Sequence, residues 1–302
     1  MGEIFGAAKS GYKHLGISGG STKISGLAGA CEVLILEKGY KPNIISAISA
    51  GAILALPIAL GKWKETIEAA TNFNLDTIFS VKPVNEEGEV TLAGIKRLLT
   101  GKESLGEQYN LVRLLREIIT PEDYENYLKH DKYPAVYIGV VDFKNITRKF
   151  FNLKELSYVD YFKITLASTS MPTFTTHVAY NDMLLYDGGV TNHIGTPWVL
   201  ENIKGIAETV SIYSRSENYD LIDTDWKPSN ILSIVQRYIY VNTVGVSKAN
   251  EQVEDLLCEK LNIKQTKIFL PIRIENMYDV DRNRILNMYN IGKLAVEKYY
   301  KK

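Results

Sequence analysis

The chain has 302 residues, which is enough for one large α/β domain or two smaller ones with a substantial apolar core. Its 35 Lys and Arg residues balance its 35 Asp and Glu residues, so the sequence lacks the broad positive field of a nucleic-acid-binding protein. The two cysteines, Cys31 and Cys258, match neither a disulfide framework nor a zinc site, which indicates a reducing, cytoplasmic compartment.

Two strand-turn-helix units open the chain. In the first, a predicted strand at residues 13–17 leads through a Gly/Ser/Thr-rich loop into a helix at 27–38. In the second, a buried strand at 43–48 passes directly into a helix at 50–60, with only Ser49 between them. This last helix contains the longest apolar run, far short of the roughly 20 residues that cross a bilayer, so we expect any membrane contact to be peripheral.

Residues 62–130 are predicted to be mostly helical and are a candidate cover for a binding site. Beyond them, strands and helices alternate again. The strands are predicted at residues 135–143, 148–152, 183–186, 209–213 and 267–271, and the helices at 161–167, 231–242, 248–261 and 281–300. No repeat or linker interrupts this pattern, so we predict a single domain over residues 1–302, with a three-layer α/β/α fold and a largely parallel central sheet.

Ser49 has the sequence context of a nucleophile elbow, a strand-to-helix turn so sharp that the residues two positions before and after the serine must be small. Ala47 and Gly51 meet that requirement. The literal G-x-S-x-G string lies elsewhere, around Ser18, but a Gly/Ser/Thr-rich loop rather than a helix follows it. Such a loop suits a cradle of backbone N–H groups for an anion. We therefore predict Ser49 as the nucleophile and keep Ser18 as the alternative.

The base that would activate this serine is predicted to be a carboxylate. No histidine follows His193, whereas the triads of α/β-hydrolases have a late histidine. Asp187 ends a predicted strand and precedes Gly188 and Gly189, which let the backbone turn sharply and approach another loop. An ordinary Asp-Gly turn is the alternative reading of this segment, and His193 remains the alternative base.

Together these motifs resemble those of the patatin-like phospholipases, which are related to the catalytic domain of cytosolic phospholipase A2. The family's oxyanion loop, G-G-G-x-K/R-G, resembles residues 19–24, and its elbow resembles residues 47–51. Its D-G-G/A motif resembles residues 187–189, and its A-S-x-x-x-P-x-F segment is present at 167–174. The resemblance covers nearly the whole chain, and it implies a patatin-like fold and a Ser–Asp dyad in place of a triad.

The resemblance also implies roles for the glycine-rich loop. Backbone N–H groups of Gly19, Gly20 and Ser21 would form the oxyanion hole, and Lys23 would take the place of the loop's basic residue. Lys23 could equally be a solvated loop lysine. Three residues depart from the family pattern, because Ser21 and Ile24 replace loop glycines and Ala47 replaces the first glycine of the elbow. A side chain at Ser21 or Ile24 would oppose backbone angles that glycine adopts freely.

The sequence therefore predicts a serine acyl hydrolase that cleaves fatty-acyl esters of phospholipids or lysophospholipids through an acyl-enzyme on Ser49. Its expected partners are an acyl-lipid substrate and a peripheral membrane surface, without nucleic acid. No cofactor or metal is expected, since no EF-hand loop or zinc spacing occurs. One alternative is a catalytically weak or inactive lipid-binding scaffold of the same fold. Another is a nucleotide-phosphate loop at Ser18–Lys23, although its Gly-Lys-Ser/Thr ending is absent.

Overall fold

A computed structural model describes residues 11–86, 88–218, 226–228, 231–272 and 280–301. The centre of the protein is one eight-stranded mixed sheet. Its strands are β1 (Tyr12–Ile17), β2 (Ile44–Ile48), β3 (Ala135–Asp142), β4 (Thr147–Asn152), β5 (Val178–Tyr180), β6 (Met183–Asp187), β7 (Ile206–Tyr213) and β8 (Lys264–Phe269).

The sheet has a parallel body and an antiparallel margin. Its strand order is β5-β6-β3-β2-β1-β7-β8, with β4 also paired to β3. Strands β3, β2, β1, β7 and β8 are parallel neighbours, whereas β4, β5 and β6 join in antiparallel register. Strand β1 therefore lies in the middle of the parallel body, between β2 and β7. Parallel strands carry ligand sites at their carboxyl ends.

Eleven α-helices are found within the described part of the chain. They are α1 (Ile24–Glu32), α2 (Ala50–Ala59), α3 (Trp63–Asn72), α4 (Leu75–Ile78), α5 (Leu92–Leu99), α6 (Tyr109–Ile118), α7 (Pro121–Lys129), α8 (Tyr158–Ser168), α9 (Thr196–Asn202), α10 (Ile231–Leu261) and α11 (Arg282–Tyr300). In the ranges described above, no helix is both long enough and apolar enough to cross a bilayer.

The sheet separates two apolar cores. On β2, Ile45 faces the larger core, which contains buried residues of α1, α2, α6, α8 and α11. The adjacent Ile44 faces a smaller core with Val199 of α9 and Cys258 of α10. This alternation of side chains between two helical layers confirms the predicted three-layer α/β/α fold with its largely parallel sheet.

Helix α10 differs from the prediction, which gave two separate helices at residues 231–242 and 248–261. The structure has one helix through the intervening segment. That segment contains Gly245 and three β-branched residues, which have low intrinsic helix propensity. Packing of the neighbouring turns against the rest of the protein outweighs this preference. The short edge strand β5 was not predicted at all.

Candidate active site

Ser49 is the sharp junction between β2 and α2. Its φ and ψ angles are 54° and −123°, a conformation that L residues rarely adopt, as expected for a nucleophile elbow. The close packing of α2 against β1 explains the small neighbours. A Cβ atom on Gly51 would lie 2.7 Å from the carbonyl oxygen of Ile17 and 2.8 Å from that of Ser18. A larger residue at position 51 would therefore displace the elbow.

Asp187 lies next to Ser49 because β2 and β6 end at neighbouring residues of β3. Residues 137–139 of β3 pair with both β2 and β4, and residues 140–142 pair with both β4 and β6. Strands β2 and β6 thus share one edge of β3. Ile48, the last residue of β2, lies opposite Gly139, and Asp187, the last residue of β6, lies opposite Val140. The antiparallel direction of β6 brings the two strand ends together.

A direct hydrogen bond joins the two side chains. The Ser49 hydroxyl donates to Oδ2 of Asp187 at 2.7 Å. The other carboxylate oxygen, Oδ1, accepts the N–H of Gly189 at 2.7 Å, which fixes the orientation of the carboxyl group. Gly188 is required for this approach, because a Cβ atom there would lie 2.5 Å from the carbonyl oxygen of Gly139.

Burial gives Asp187 the proton affinity of a base. The side chain is only 2% exposed, and this desolvation raises the pKa of its carboxyl from 3.8 to about 7, against the opposing hydrogen bonds from Ser49 and Gly189. A carboxylate with this pKa can take a proton near neutral pH, and its acceptor oxygen already contacts the hydroxyl that would supply one.

Ser168 supports the strained elbow and was not assigned a role from the sequence. Its hydroxyl oxygen accepts the backbone N–H of Ser49 at 2.9 Å and donates to the carbonyl of Gly139 at 2.7 Å. It thereby ties the elbow to the neighbouring strand β3. The sequence signal for this residue was present in the segment at 167–174, but nothing in that segment indicated which residue Ser168 would contact.

The glycine-rich loop lies against Ser49. A Cβ atom on Gly19 would be 3.3 Å from that of Ser49. The N–H of Gly19 donates to the carbonyl of His193 at 2.9 Å, so this donor is already paired within the protein. No hydrogen bond between described residues uses the N–H of Gly20. Ser21 has a φ of 49°, so this serine adopts the left-handed conformation that the family pattern assigns to glycine.

Ile24 needs no such conformation. It lies at the start of α1 with a φ of −52° and a ψ of −38°, which are ordinary helical angles. The departure of Ile24 from the family pattern therefore causes no backbone strain, and that of Ser21 is accommodated at the cost normal for a non-glycine residue with positive φ.

Lys23 is a buried residue and not a solvated loop lysine. Its side chain lines the cavity at the active site, and Nζ donates to the carbonyl of Ser214 at 2.8 Å. Burial and the nearby Arg215 guanidinium lower the pKa of this lysine to about 8. Ser18, the alternative nucleophile, is engaged elsewhere, since its hydroxyl donates to the carbonyl of Gly19 and accepts the N–H of Ser214.

His193 lines the same cavity but pairs with neither member of the dyad among the described contacts. Its ring stacks on Tyr213, and burial together with Arg215 and Lys23 lowers its pKa to about 3. The ring is therefore neutral across the physiological range. Its main chain has the clearer structural role. The carbonyl of His193 accepts the N–H of Gly19, and the N–H of His193 donates to Oδ1 of Asn250.

A cavity of about 300 Å³ opens from the dyad. Its polar lining includes Ser49, Asp187, Lys23 and Arg215, all but Ser49 buried. Most of the remaining wall is apolar, and its side chains come from helices α2, α3, α4, α6 and α10. Helices α3, α4 and α6 belong to the predicted helical region 62–130, so part of that region borders the site. Within the described residues, no group of His, Cys, Asp or Glu side chains could hold a metal ion.

The chain is similar to a known protein family and to solved structures. A model of the patatin-like phospholipase family matches residues 15–197. No curated protein matches the sequence. Among solved structures, VipD from Legionella pneumophila is similar with 12% identity and a TM-score of 0.44, over 97% of this chain and 68% of VipD. The type III effector protein ExoU is similar with 13% identity and a TM-score of 0.44, over 98% of this chain and 53% of ExoU. Because the family match includes the elbow, the glycine-rich loop and the Asp-Gly-Gly segment, the chain belongs to the patatin-like phospholipase family.

Proposed function

We propose that this protein is a serine acyl hydrolase that cleaves fatty-acyl esters of phospholipids or lysophospholipids with a Ser49–Asp187 dyad. The observation that carries the proposal is the 2.7 Å hydrogen bond from the Ser49 hydroxyl to a buried carboxylate. Membership of the family supports lipid acyl hydrolase activity in general. The Ser–Asp dyad and the ester substrate go beyond what family membership supports, and they require experiment.

The reaction follows from the proton affinities of the two side chains. Ionised Asp187 accepts the hydroxyl proton as the Ser49 oxygen attacks the ester carbonyl and forms a tetrahedral intermediate. Collapse of this intermediate breaks the ester bond, and the proton passes from Asp187 to the departing alcohol. Water then gives a proton to Asp187 and attacks the acyl-enzyme. As the second intermediate collapses, Asp187 returns this proton to the Ser49 oxygen, which restores the hydroxyl and releases the fatty acid.

The tetrahedral oxyanion needs backbone donors, and three groups near Ser49 are suitable. The N–H groups of Gly20 and Ser21 belong to the loop that lies against the nucleophile. Ala50 begins α2, and the first N–H groups of a helix have no acceptor within it. The positive end of the α2 dipole favours the same charge. Removal of one such donor typically costs about 3 kcal/mol of transition-state stabilisation.

The cavity accounts for a lipid substrate better than for a small polar ester. Its apolar wall accepts a fatty-acyl chain, because burial of each methylene group contributes about 0.8 kcal/mol. Lys23 and Arg215 are two buried cations in the cavity wall, and Arg215 is also paired with Glu251. Their mutual repulsion contributes to the lowered pKa of Lys23. An anionic head group placed there would relieve that repulsion.

Two measurements test the proposal. A defined mixture of phospholipids is analysed by mass spectrometry before and after incubation with the protein, and we expect free fatty acid and lysolipid to accumulate. Ser49→Ala and Asp187→Asn should each abolish this change. If either variant keeps the full activity, the dyad assignment is wrong.

Covalent labelling separates the enzyme from the inactive scaffold and also separates the two serines. A fluorophosphonate should modify the unaltered protein and Ser18→Ala, but not Ser49→Ala. Labelling that disappears in Ser18→Ala and persists in Ser49→Ala would transfer the nucleophile to the loop. A correctly folded protein that is never labelled would support the lipid-binding scaffold.

A further inference from the structure

The N-terminal half of α10 has a composition that differs from the rest of the helix. From residue 231 to residue 246 the only charged residue is Arg237, whereas residues 248–261 are rich in Lys, Asp and Glu. A helix half with so few charges is normally buried on most of its surface. In this protein it is not buried, and it lies beside the catalytic cavity.

Two faces of this half-helix have different surroundings. One face lines the cavity through residues that include Gln236, Tyr240 and Val244, which are spaced by four residues. The other face is exposed and largely apolar. Its large apolar side chains are Ile231, Ile234, Tyr238 and Val241, at intervals of three and four residues that place them in one row, and the exposed Asn242 and Gly245 lie on the same side. The exposed fractions run from 50% for Ile234 to 81% for Ile231.

Helix α5 also exposes apolar residues that a surface helix usually buries. Its buried side is formed by Gly94, while its leucines and isoleucine point outward. The exposed apolar residues are Leu92, Ile95, Leu98 and Leu99, and those at the two ends of the helix, Leu92 and Leu99, are 85% and 83% exposed. Four large apolar side chains on one eight-residue helix exceed the scattered exposure that is normal for a monomeric protein.

One small apolar cluster connects the two helices. Val90 and Leu105, which flank α5, pack in the same cluster as Val235 and Ile239 of α10. Ile239 is also part of the cavity wall. The segments that flank α5 and the inner side of α10 therefore share one apolar cluster, and α10 also borders the catalytic cavity. We call the outer faces of α5 and α10 together the apolar rim.

The part of α10 that lines the cavity is partly open to solvent. Its residues Ser233, Gln236 and Tyr240 are half-buried, as Ser49 is. Solvent therefore reaches the cavity beside the same helix whose outer side carries the apolar rim. A lipid that enters along this side would pass from one apolar surface to another without exposing its chains to water.

We propose that the apolar rim, formed by Leu92, Ile95, Leu98 and Leu99 of α5 and Ile231, Ile234, Tyr238 and Val241 of α10, binds the surface of a lipid bilayer at the cavity entrance. This inference rests on the proposed function, because the bilayer contains the acyl lipids that the cavity is proposed to accept. The continuity of the α10 part of the rim with the cavity wall favours a lipid surface over a protein partner. The rim would enter only the interface, as interfacial amphipathic helices do.

The charges around the rim predict which bilayers it binds. Near α5, Arg97 is paired with Glu107, the exposed Lys96 and Lys102 lie close in sequence to the exposed Glu103, and the exposed row of α10 contains no charged residue. Binding should therefore arise from apolar burial and not from attraction to anionic lipids. We expect binding to vesicles of zwitterionic phosphatidylcholine, with little change at high salt, which would weaken an electrostatic contact.

The first part of the test measures vesicle binding without catalysis. Ser49→Ala protein is floated with phosphatidylcholine vesicles, alone and combined with Ile234→Gln/Val241→Gln or Leu92→Gln/Leu99→Gln. Glutamine preserves helix propensity, so circular dichroism should be unchanged. Each pair should reduce vesicle affinity by about tenfold or more, since two buried aliphatic side chains are lost. The matched control is Leu256→Gln, which alters a leucine of the charged half of α10 that is 66% exposed, and it should bind normally.

The second part measures hydrolysis of a soluble, monomeric short-chain ester by the same variants with Ser49 intact. The rim variants should retain the unaltered rate. Soluble-ester hydrolysis together with undiminished vesicle binding by both rim pairs would overturn the rim proposal and leave the proposed function intact. Rim-dependent vesicle binding by a protein that hydrolyses no ester would overturn the proposed function and leave the rim assignment intact. A loss of self-association in the rim variants, seen by analytical ultracentrifugation without an effect on vesicles, would assign the rim to a second copy of the chain and overturn the lipid assignment.

Discussion

Replacement of Asp187 by asparagine should change how the stability of the protein depends on pH. The pKa of the buried carboxyl is raised from 3.8 to about 7, so between these values the folded protein keeps a proton that the unfolded chain has lost. The unaltered protein must then lose stability as pH rises through this window. At about 1.4 kcal/mol per pH unit the loss amounts to about 4 kcal/mol, and it is complete above pH 7. The amide side chain of the Asp187→Asn variant cannot ionise, so the variant is free of this loss.

Urea unfolding of both proteins at a series of pH values provides the assay. The free energy of unfolding of Asp187→Asn minus that of the unaltered protein should increase by about 4 kcal/mol as pH rises from 3.8 to about 7, and then become constant. Other titrating groups are common to both proteins and cancel in this difference. Parallel stability curves would refute the reasoning, because Asp187 would then ionise as an ordinary carboxyl and would be a poor proton acceptor for Ser49.

Three further predictions concern activity. The kcat/KM for an uncharged soluble ester should rise with pH as Asp187 ionises and level off above about pH 7, in a rate profile with one acidic limb. Ser168→Ala removes the acceptor of the Ser49 N–H, so steady-state kinetics should show kcat reduced by about tenfold with KM little changed. Ser21→Gly should keep full activity, whereas Ser21→Val, with a β-branched residue at a φ of 49°, should lower the free energy of unfolding by about 1–3 kcal/mol in urea titration and reduce kcat. Equal behaviour of the last two variants would contradict the assigned backbone strain.

The parts of the site that the sequence predicted are those encoded over a few adjacent residues. Small residues on both sides of Ser49 indicate an elbow because the turn itself excludes large ones. Two glycines after Asp187 indicate a close approach of the backbone for a similar reason. Alternation of strands and helices predicted the layers of the fold, since each layer buries one face of its neighbour.

Other features depend on residues far apart in the chain and left no local signal. The contact of Asp187 with Ser49 requires β2 and β6 to share one edge of β3, a pairing that no segment alone encodes. The carbonyl of His193 accepts the N–H of Gly19, and this partner lies far away in sequence, so the loop pattern alone could not indicate it. Lys23 proved to be buried because Ser214 follows β7, which lies beside β1 in the sheet.

Because of the position of β1 in the sheet, the segment that matches the family is shorter than the unit that must fold. The family match ends at residue 197, yet β1 has β7 as one of its two neighbours, and β7 begins at Ile206. Helix α11 also packs on α1, where a Cβ atom on Gly292 would collide with the carbonyl of Gly26. A fragment cut at the family boundary would thus expose one edge of the strand that leads into the glycine-rich loop. Mutations beyond residue 197 can therefore abolish catalysis through folding cooperativity, even though every proposed reacting group lies before that point.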